Sequence, residues 1–212
     1  MEIIDLLAQA YAEKFSSPED ELLHQIGEET RQHHPKAHML SGHLQGKFLE
    51  IISRIARPLK ILEIGTFTGY SALCLAKGLQ PGGELHTIEL REEEAATARE
   101  NFNKSGAADR IILHVGNALD IIPSLRHEWD IVFIDADKTN YIAYYQAVMA
   151  RVRPGGFILA DNVLFHGQVL KEEGRSKSAQ AIQAFNEWVQ KDGAVEKVML
   201  TLRDGLSLIL KK

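Results

Sequence analysis

Three side chains that carry oxygen donors follow two apolar runs late in the sequence. Asp135 comes after the run VFI, and Asp161 and Asn162 come after the run FILA. Ligands of open α/β sheets bind at the carboxyl ends of the strands, so these residues are expected to lie together. Two carboxylates and an amide suit Mg²⁺, Mn²⁺ or Ca²⁺ better than zinc or copper. The alternative is that the acids cap helices or pair with Lys138 and Arg153, because buried acids need a partner.

Lys138, three residues after Asp135, is the candidate general base. A cation bound beside it would lower the pKa of its ammonium group and leave a neutral amine that can accept a proton. The alternative is a solvated lysine at the start of a loop.

An earlier stretch, residues 61–73, predicts a strand, a glycine turn and the start of a helix. Glu63, Gly65 and Gly69 form the pattern E-x-G-x-x-x-G, which differs from the G-x-G-x-x-G of dinucleotide-binding turns. Glycine permits a sharp turn and a close ligand, and the helix start presents free N–H groups. A carboxylate at Glu63 would repel a phosphate and attract an ammonium group, which favours a ligand with an amino-acid portion. An ordinary tight turn is the alternative.

Two more predicted strands end on residues suited to a nucleoside. Glu89 ends the second strand, where an acid can hold the two hydroxyls of a ribose. Gly116, Asn117 and Ala118 end the third strand, where small side chains leave room for a flat base. These residues do not distinguish an adenosyl ligand from NAD, because both contain ribose.

A parallel sheet is needed to bring these strand ends together, and the pattern from residue 58 onward predicts one. Strands and helices alternate through five βα units, and two last strands meet at Asp204 and Gly205. The expected fold is an open α/β sheet of seven strands, mostly parallel, with helices on both faces and a C-terminal antiparallel hairpin. Residues 1–57 predict an N-terminal helical extension, and residues 1–212 are expected to form one domain.

Local signals also predict the limits of several elements. The first helix is expected over residues 2–14, and the second is expected to begin at Ser17 with Pro18 in its first turn. A helix is expected over residues 118–128, and a turn over residues 153–156 precedes the fifth strand.

Composition limits the classes of partner. The chain has 212 residues, of which 45% are hydrophobic, and a formal net charge of -5, so no basic surplus points to nucleic acid or to an anionic membrane. The N-terminus lacks the basic start and apolar core of a signal peptide, and no run approaches a membrane span of roughly 20 residues. Cys74 is the single cysteine, and its thiol is expected to be buried. A single cysteine fits a reducing compartment, so a cytoplasmic location is expected.

Five segments together resemble one known family. EIGTFTGYS, TIEL, IVFIDADK, DNVLFHG and RDGLSLI occur in the order and spacing of the cation-dependent O-methyltransferases. This family contains the catechol and caffeoyl-CoA O-methyltransferases and their bacterial relatives, and the resemblance extends from about Met39 onward. It implies a Rossmann-like class I methyltransferase fold, S-adenosylmethionine (SAM) as cofactor, a divalent cation (Mg²⁺, with Mn²⁺ or Ca²⁺ as alternatives) and a homodimer.

The resemblance also implies roles for individual residues. Contacts to SAM are implied for Met39, Ser41, Glu63, Gly65, Thr66, Ser71, Glu89, Ala118, Asp135 and Asp137. Metal ligation is implied for Asp135, Asp161 and Asn162, and catalysis for Lys138 and Asp135. His166 stands near the implied substrate position, where the plant branch has an asparagine. Ala136 and Asp137 replace the aromatic pair of the catechol enzyme, so the chain is more similar to the caffeoyl-CoA and bacterial branches.

The activity implied is methylation of a hydroxyl of a catechol-like or hydroxycinnamoyl-type small molecule. The alternatives are a metal-independent methyltransferase on another small-molecule acceptor, an NAD-dependent oxidoreductase, and a binding domain without catalysis. The missing G-x-G-x-x-G and the presence of Glu63 argue against NAD. The N-terminal helices are expected either to cover the active site or to form a dimer interface.

Overall fold

The computed structural model describes residues 6–212. Its α-helices are α1 (Leu6–Lys14), α2 (Glu21–His33), α3 (His43–Ala56), α4 (Tyr70–Ala76), α5 (Glu92–Lys104), α6 (Ala118–Ile121), α7 (Tyr141–Met149) and α8 (Lys177–Lys191). Its strands are β1 (Lys60–Ile64), β2 (Glu84–Glu89), β3 (Ile111–Val115), β4 (Trp129–Ile134), β5 (Val152–Asp161), β6 (Val195–Leu200) and β7 (Leu206–Lys211). Residues 2–5 of the first predicted helix lie outside the described residues.

The strands form one sheet in the order β3-β2-β1-β4-β5-β7-β6. The pairs among β1 to β5 are parallel, whereas β7 runs antiparallel to both β5 and β6. The predicted seven-stranded sheet with a C-terminal hairpin is therefore confirmed. Its strand order reverses direction at β1, which places the ends of β1 and β4 side by side where ligands of such sheets bind.

Three element limits differ from the sequence prediction. Helix α2 begins later than predicted, because the Asp20 carboxylate caps it by accepting from the Leu23 N–H at 2.9 Å. Helix α6 ends at Ile121 and continues only as a 3₁₀ turn that contains Pro123, which has no N–H to donate.

The predicted turn at residues 153–156 lies inside β5. The pairing of β5 with β4 shifts register at this point, and Gly155 has a φ of 73°. Glycine adopts that conformation at no steric cost, so the chain turns locally without leaving the sheet.

Apolar side chains pack on both faces of the sheet and hold its strand ends in place. Along β4, the residues from Ile131 to Ile134 have no measurable exposure, as expected of a central parallel strand. Trp129, Tyr141 and Phe185 anchor the face covered by α7 and α8. Cys74 is buried in the cluster on the opposite face, which confirms the predicted buried thiol.

A group of aromatic rings, here called the histidine cluster, includes residues of β2, β3 and β4. It contains His86, His114 and His127 beside Trp129, and Glu84 lies 3.5 Å from the ring of His86. Burial, together with the charges of His127 and His114, lowers the pKa of His86 to about 4. His86 is therefore neutral at pH 7.

Within residues 6–212, no helix is both long enough and apolar enough to cross a lipid bilayer.

Candidate active site

A cavity of about 640 Å³ opens at the carboxyl ends of the parallel strands. This volume is typical of sites for small molecules and cofactors. The predicted site residues that line it are Met39, Ser41, Gly65, Thr66, Ser71, Glu89, Ala118, Asp135, Asp137, Lys138, Asp161, Asn162 and His166. Glu63 does not line the cavity. The cavity therefore brings together predicted site residues that are up to 127 positions apart in the sequence, from Met39 to His166.

Glu63 lies beneath the cavity wall and is fully buried. Its carboxyl group accepts hydrogen bonds from the Ser71 hydroxyl, at 2.6 Å, and from the Thr87 hydroxyl. Burial raises the pKa of Glu63 to about 8, against the opposing effect of these two hydrogen bonds. Glu63 therefore carries a proton at neutral pH, so the predicted attraction of an ammonium group requires this carboxyl to ionise when the ligand binds.

The turn after β1 approaches the end of β4 closely. Gly65 has a φ of 102°, and a Cβ on it would lie 2.0 Å from the backbone oxygen of Asp135. Phe67 adopts a left-handed conformation, with a φ of 50°, and its N–H donates to Glu89 at 2.8 Å. Glu89, predicted to bind a ribose, thus also holds the turn, and it lines the cavity.

Asp137 lies on the rim of the cavity and is bonded to the chain that follows it. Its carboxylate accepts from the Tyr144 hydroxyl, from Asn140 Nδ2 at 2.8 Å and from the Thr139 hydroxyl at 3.1 Å. These contacts fix the 3₁₀ turn of residues 138–140, which contains the catalytic candidate Lys138 and leads into α7.

A chain of hydrogen bonds connects the candidate base to both candidate metal-binding acids. Lys138 Nζ donates to Asp135 Oδ1 and to the Tyr141 hydroxyl, both at 2.8 Å. The Tyr141 hydroxyl in turn donates to the backbone oxygen of Asp161 at 2.9 Å. Sequence reasoning missed Tyr141, although its position three residues after Lys138 on a helical segment places it on the same side.

The charges at this site perturb each other. Burial by itself lowers the pKa of Lys138, but the Asp135 carboxylate, with Tyr141 and Asp161, outweighs burial and raises that pKa above its ordinary value. Burial and the Asp135 charge raise the pKa of Asp161, and Lys138 opposes them. The lysine is thus an ammonium in this structure, opposite to the form that a general base requires.

The Asp161 carboxylate is held by two donors from different parts of the chain. Oδ1 accepts from the Asn162 N–H at 2.7 Å, and Oδ2 accepts from Gln45 Nε2 at 2.6 Å. Arg203 donates to the other end of the Gln45 amide at 3.1 Å. The sequence carries no local signal for Gln45 or Arg203, because they lie 116 and 42 residues from Asp161.

The donor set fits a hard divalent cation. Asp135, Asp161 and Asn162 all line the same cavity, and their carboxylate and amide oxygens are the ligands that Mg²⁺ accepts. Asn162 has a φ of 56°, a conformation that asparagine tolerates better than most residues. No group of three or more His, Cys, Asp or Glu side chains within residues 6–212 is arranged to hold a metal ion, and this set differs in that its third donor is an amide.

His166 lies at the mouth of the cavity, with 74% of its side chain exposed. Its N–H donates to the Asp204 carboxylate, and its ring Nδ1 lies 3.7 Å from the other Asp204 oxygen. The hairpin between β6 and β7 therefore holds the segment on which the predicted substrate residue stands.

Comparisons with known proteins agree with this geometry. The family model described as O-methyltransferase matches residues 13–212. A catechol O-methyltransferase of Niastella koreensis is 36% identical over 177 residues, which is 79% of this chain and 80% of the relative. A caffeoyl-CoA O-methyltransferase of Stellaria longipes is 28% identical over 89% of this chain and 83% of the relative.

A solved structure gives the same result in three dimensions. The O-methyltransferase from Bacillus cereus in complex with SAH superimposes with a TM-score of 0.86 at 31% identity, over 97% of each chain. The resemblance noted in the sequence is thereby confirmed, and the NAD-dependent alternative is not supported. The chain belongs to the O-methyltransferase family that includes the catechol and caffeoyl-CoA enzymes, and it is a SAM-dependent O-methyltransferase.

Proposed function

We propose that this enzyme requires a divalent cation and methylates one hydroxyl of a catechol-like or hydroxycinnamoyl-type small molecule. The observation that carries the proposal is the buried Asp161 carboxylate, which lines the cavity with Asp135, Asn162 and the amine of Lys138. A buried acid beside a second acid is costly unless a cation or a donor compensates it. Mg²⁺ is the proposed ion, with Mn²⁺ and Ca²⁺ as alternatives.

Each residue has a distinct task in the proposed mechanism. Asp135, Asp161 and Asn162 would hold the cation, which when bound would act as a Lewis acid and lower the pKa of a substrate hydroxyl. Lys138 Nζ accepts the proton of that hydroxyl, and the Tyr141 hydroxyl positions the amine through its 2.8 Å hydrogen bond. Lys138 can act in this way only after the attraction of the Asp135 charge for its proton has been neutralised.

The part of the cavity lined by the glycine turn after β1 and by the ends of β2 and β3 is the proposed SAM site. SAM, when bound, would supply the methyl group. The family resemblance supports contacts of Gly65, Thr66 and Ser71 with its methionyl portion, of Glu89 with its ribose and of Ala118 with its adenine, and all five residues line the cavity. Met39 and Ser41 precede α3 and would close over the cofactor, and Asp135 and Asp137 would complete its contacts. His166 at the mouth would contact the substrate.

Methyl transfer from labelled SAM to caffeate tests the proposal. We expect turnover with Mg²⁺, loss of turnover with a chelator, and loss in Asp161→Ala. Asp109→Ala removes an exposed acid outside the cavity and is the matched control, expected to behave as wild type. Turnover that survives both the chelator and Asp161→Ala would contradict cation dependence and favour the metal-independent alternative.

We further propose that the enzyme works as a homodimer in the cytoplasm, without nucleic-acid or membrane partners. The family resemblance supports the dimer, and the single buried cysteine fits a reducing compartment. Ile51 and Ile55 are exposed apolar residues on α3 and are candidates for the subunit contact. Light scattering that gives the mass of one chain would contradict the dimer.

A further inference from the structure

We infer that Gln45, on α3, is a positioning residue that fixes the Asp161 carboxylate in the orientation needed to bind a cation. This inference rests on the proposed cation-dependent function. It gives the N-terminal helices a part in the metal site, in addition to covering the cavity or contacting a second subunit.

The contacts at position 45 suit a carboxamide. Gln45 is fully buried, and its Nε2 donates to Asp161 Oδ2 at 2.6 Å while its Oε1 accepts from Arg203 at 3.1 Å. A carboxylate only accepts and a guanidinium only donates, so the group between them must do both. Arg203 therefore also determines which end of the Gln45 amide faces Asp161.

The two donors on Asp161 prevent its carboxylate from rotating. The Asn162 N–H holds Oδ1 and Gln45 holds Oδ2, so both oxygens have a fixed place. Each oxygen retains a further lone pair, which leaves it free to bind a cation. Without Gln45, Oδ2 would lose a donor in a position where the whole residue is only 1% exposed.

Helix α3 packs closely against the rest of the chain. The Ser53 hydroxyl donates to the backbone oxygen of Leu75 at 2.6 Å, and Gly78 lies so close to Ser53 that a Cβ there would be 2.2 Å from its backbone. At the start of α3, a Cβ on Gly46 would lie 2.6 Å from the ring of Tyr70. Groups that orient a metal ligand act best from such well-packed elements.

Direct cation binding tests the inference without relying on turnover. Mn²⁺ would be titrated by electron paramagnetic resonance into the wild type, Gln45→Met and Gln45→Asn. Methionine keeps the length without the hydrogen bonds, and asparagine keeps the amide but cannot reach. We expect Mn²⁺ to bind about 10–100-fold more weakly in both variants, as is typical when a partner of a metal ligand is removed. Gln25→Met, which removes an exposed glutamine on α2, is the matched control and is expected to bind as wild type.

Kinetics separates positioning from general damage. In the variants the KM for Mg²⁺ should rise, whereas kcat at saturating Mg²⁺ and the affinity for SAH should stay within a few-fold of wild type. Unchanged Mn²⁺ affinity in either folded variant would overturn the inference, as would an equal loss of kcat and SAH affinity. Equal Mn²⁺ binding by the wild type and Asp161→Ala would instead overturn the cation site itself, and this inference with it.

Discussion

The replacement Gly65→Ala tests how tightly the turn after β1 is built against the end of β4. The added Cβ would lie 2.0 Å from the backbone oxygen of Asp135, so one of the two segments would have to move by at least about 1 Å. Neither moves freely, because the Gly65 N–H donates to the Ile88 oxygen at 3.0 Å and the Asp135 N–H to the Ile64 oxygen at 2.9 Å.

Two costs add in this variant. Alanine at a φ of 102° is strained by about 1–3 kcal/mol, and the forced displacement adds about 1–3 kcal/mol. The expected loss in the free energy of unfolding is therefore about 2–6 kcal/mol, against a total of about 5–15 kcal/mol for a domain of ordinary stability. Because the displaced oxygen belongs to Asp135, the folded fraction should also bind Mn²⁺ more weakly.

Urea unfolding of Gly65→Ala and Gly82→Ala measures the steric cost separately from the backbone strain. Gly82 also has a positive φ, 76°, but a Cβ there would meet no atom within 4 Å, so its replacement carries only the strain of about 1 kcal/mol. If the two variants lose the same free energy of unfolding to within about 0.5 kcal/mol, the ends of β1 and β4 do not approach as closely as described.

Three further predictions concern stability. The buried Glu63 keeps its proton up to about pH 8 in the native state, so the stability of the wild type should fall as pH rises from about 4.5 to 8. Glu63→Gln should remove this pH dependence of the urea midpoint. An unchanged pH dependence in the variant would contradict a neutral Glu63. The pKa of His86 is about 4, below its value in the unfolded chain, so stability should fall as pH drops from about 6.5 to 4. His86→Asn should lessen this loss of stability. An identical loss in the variant would exclude His86 as its cause. The Asp130 carboxylate accepts hydrogen bonds from two backbone N–H groups at the start of β1, at 2.7 and 2.8 Å. Asp130→Ala should therefore lower the free energy of unfolding in urea by about 2–4 kcal/mol. A loss below about 0.5 kcal/mol would show that water replaces the carboxylate.

The strand ends and the sheet could be predicted from the sequence because their signals are local. Short apolar runs such as VFI and FILA favour buried strands over helices, and acids follow them directly. The rule that ligands lie at the carboxyl ends of parallel strands then groups Gly65, Asp135 and Asp161 without coordinates, and all three line the same cavity.

Local signals were misleading where a competing contact was stronger. Ser17 and Pro18 have the residue types of a helix start, yet Asp20 caps α2 because its carboxylate reaches the Leu23 N–H. The proline and glycines of residues 153–156 predict a turn. However, β5 pairs with β4 both before and after these residues, so they remain within β5.

The sequence by itself thus determined the fold, the family and the set of acids at the strand ends. Tertiary structure alone decided the protonation states at the site: burial makes Glu63 a neutral group under the cavity, and the nearby Asp135 charge keeps Lys138 an ammonium although it is buried. It also decided that Gln45 reaches Asp161 across 116 residues. The physical reason is that strand and turn preferences depend on neighbouring residues, whereas desolvation, charge and hydrogen bonding depend on which groups packing brings together.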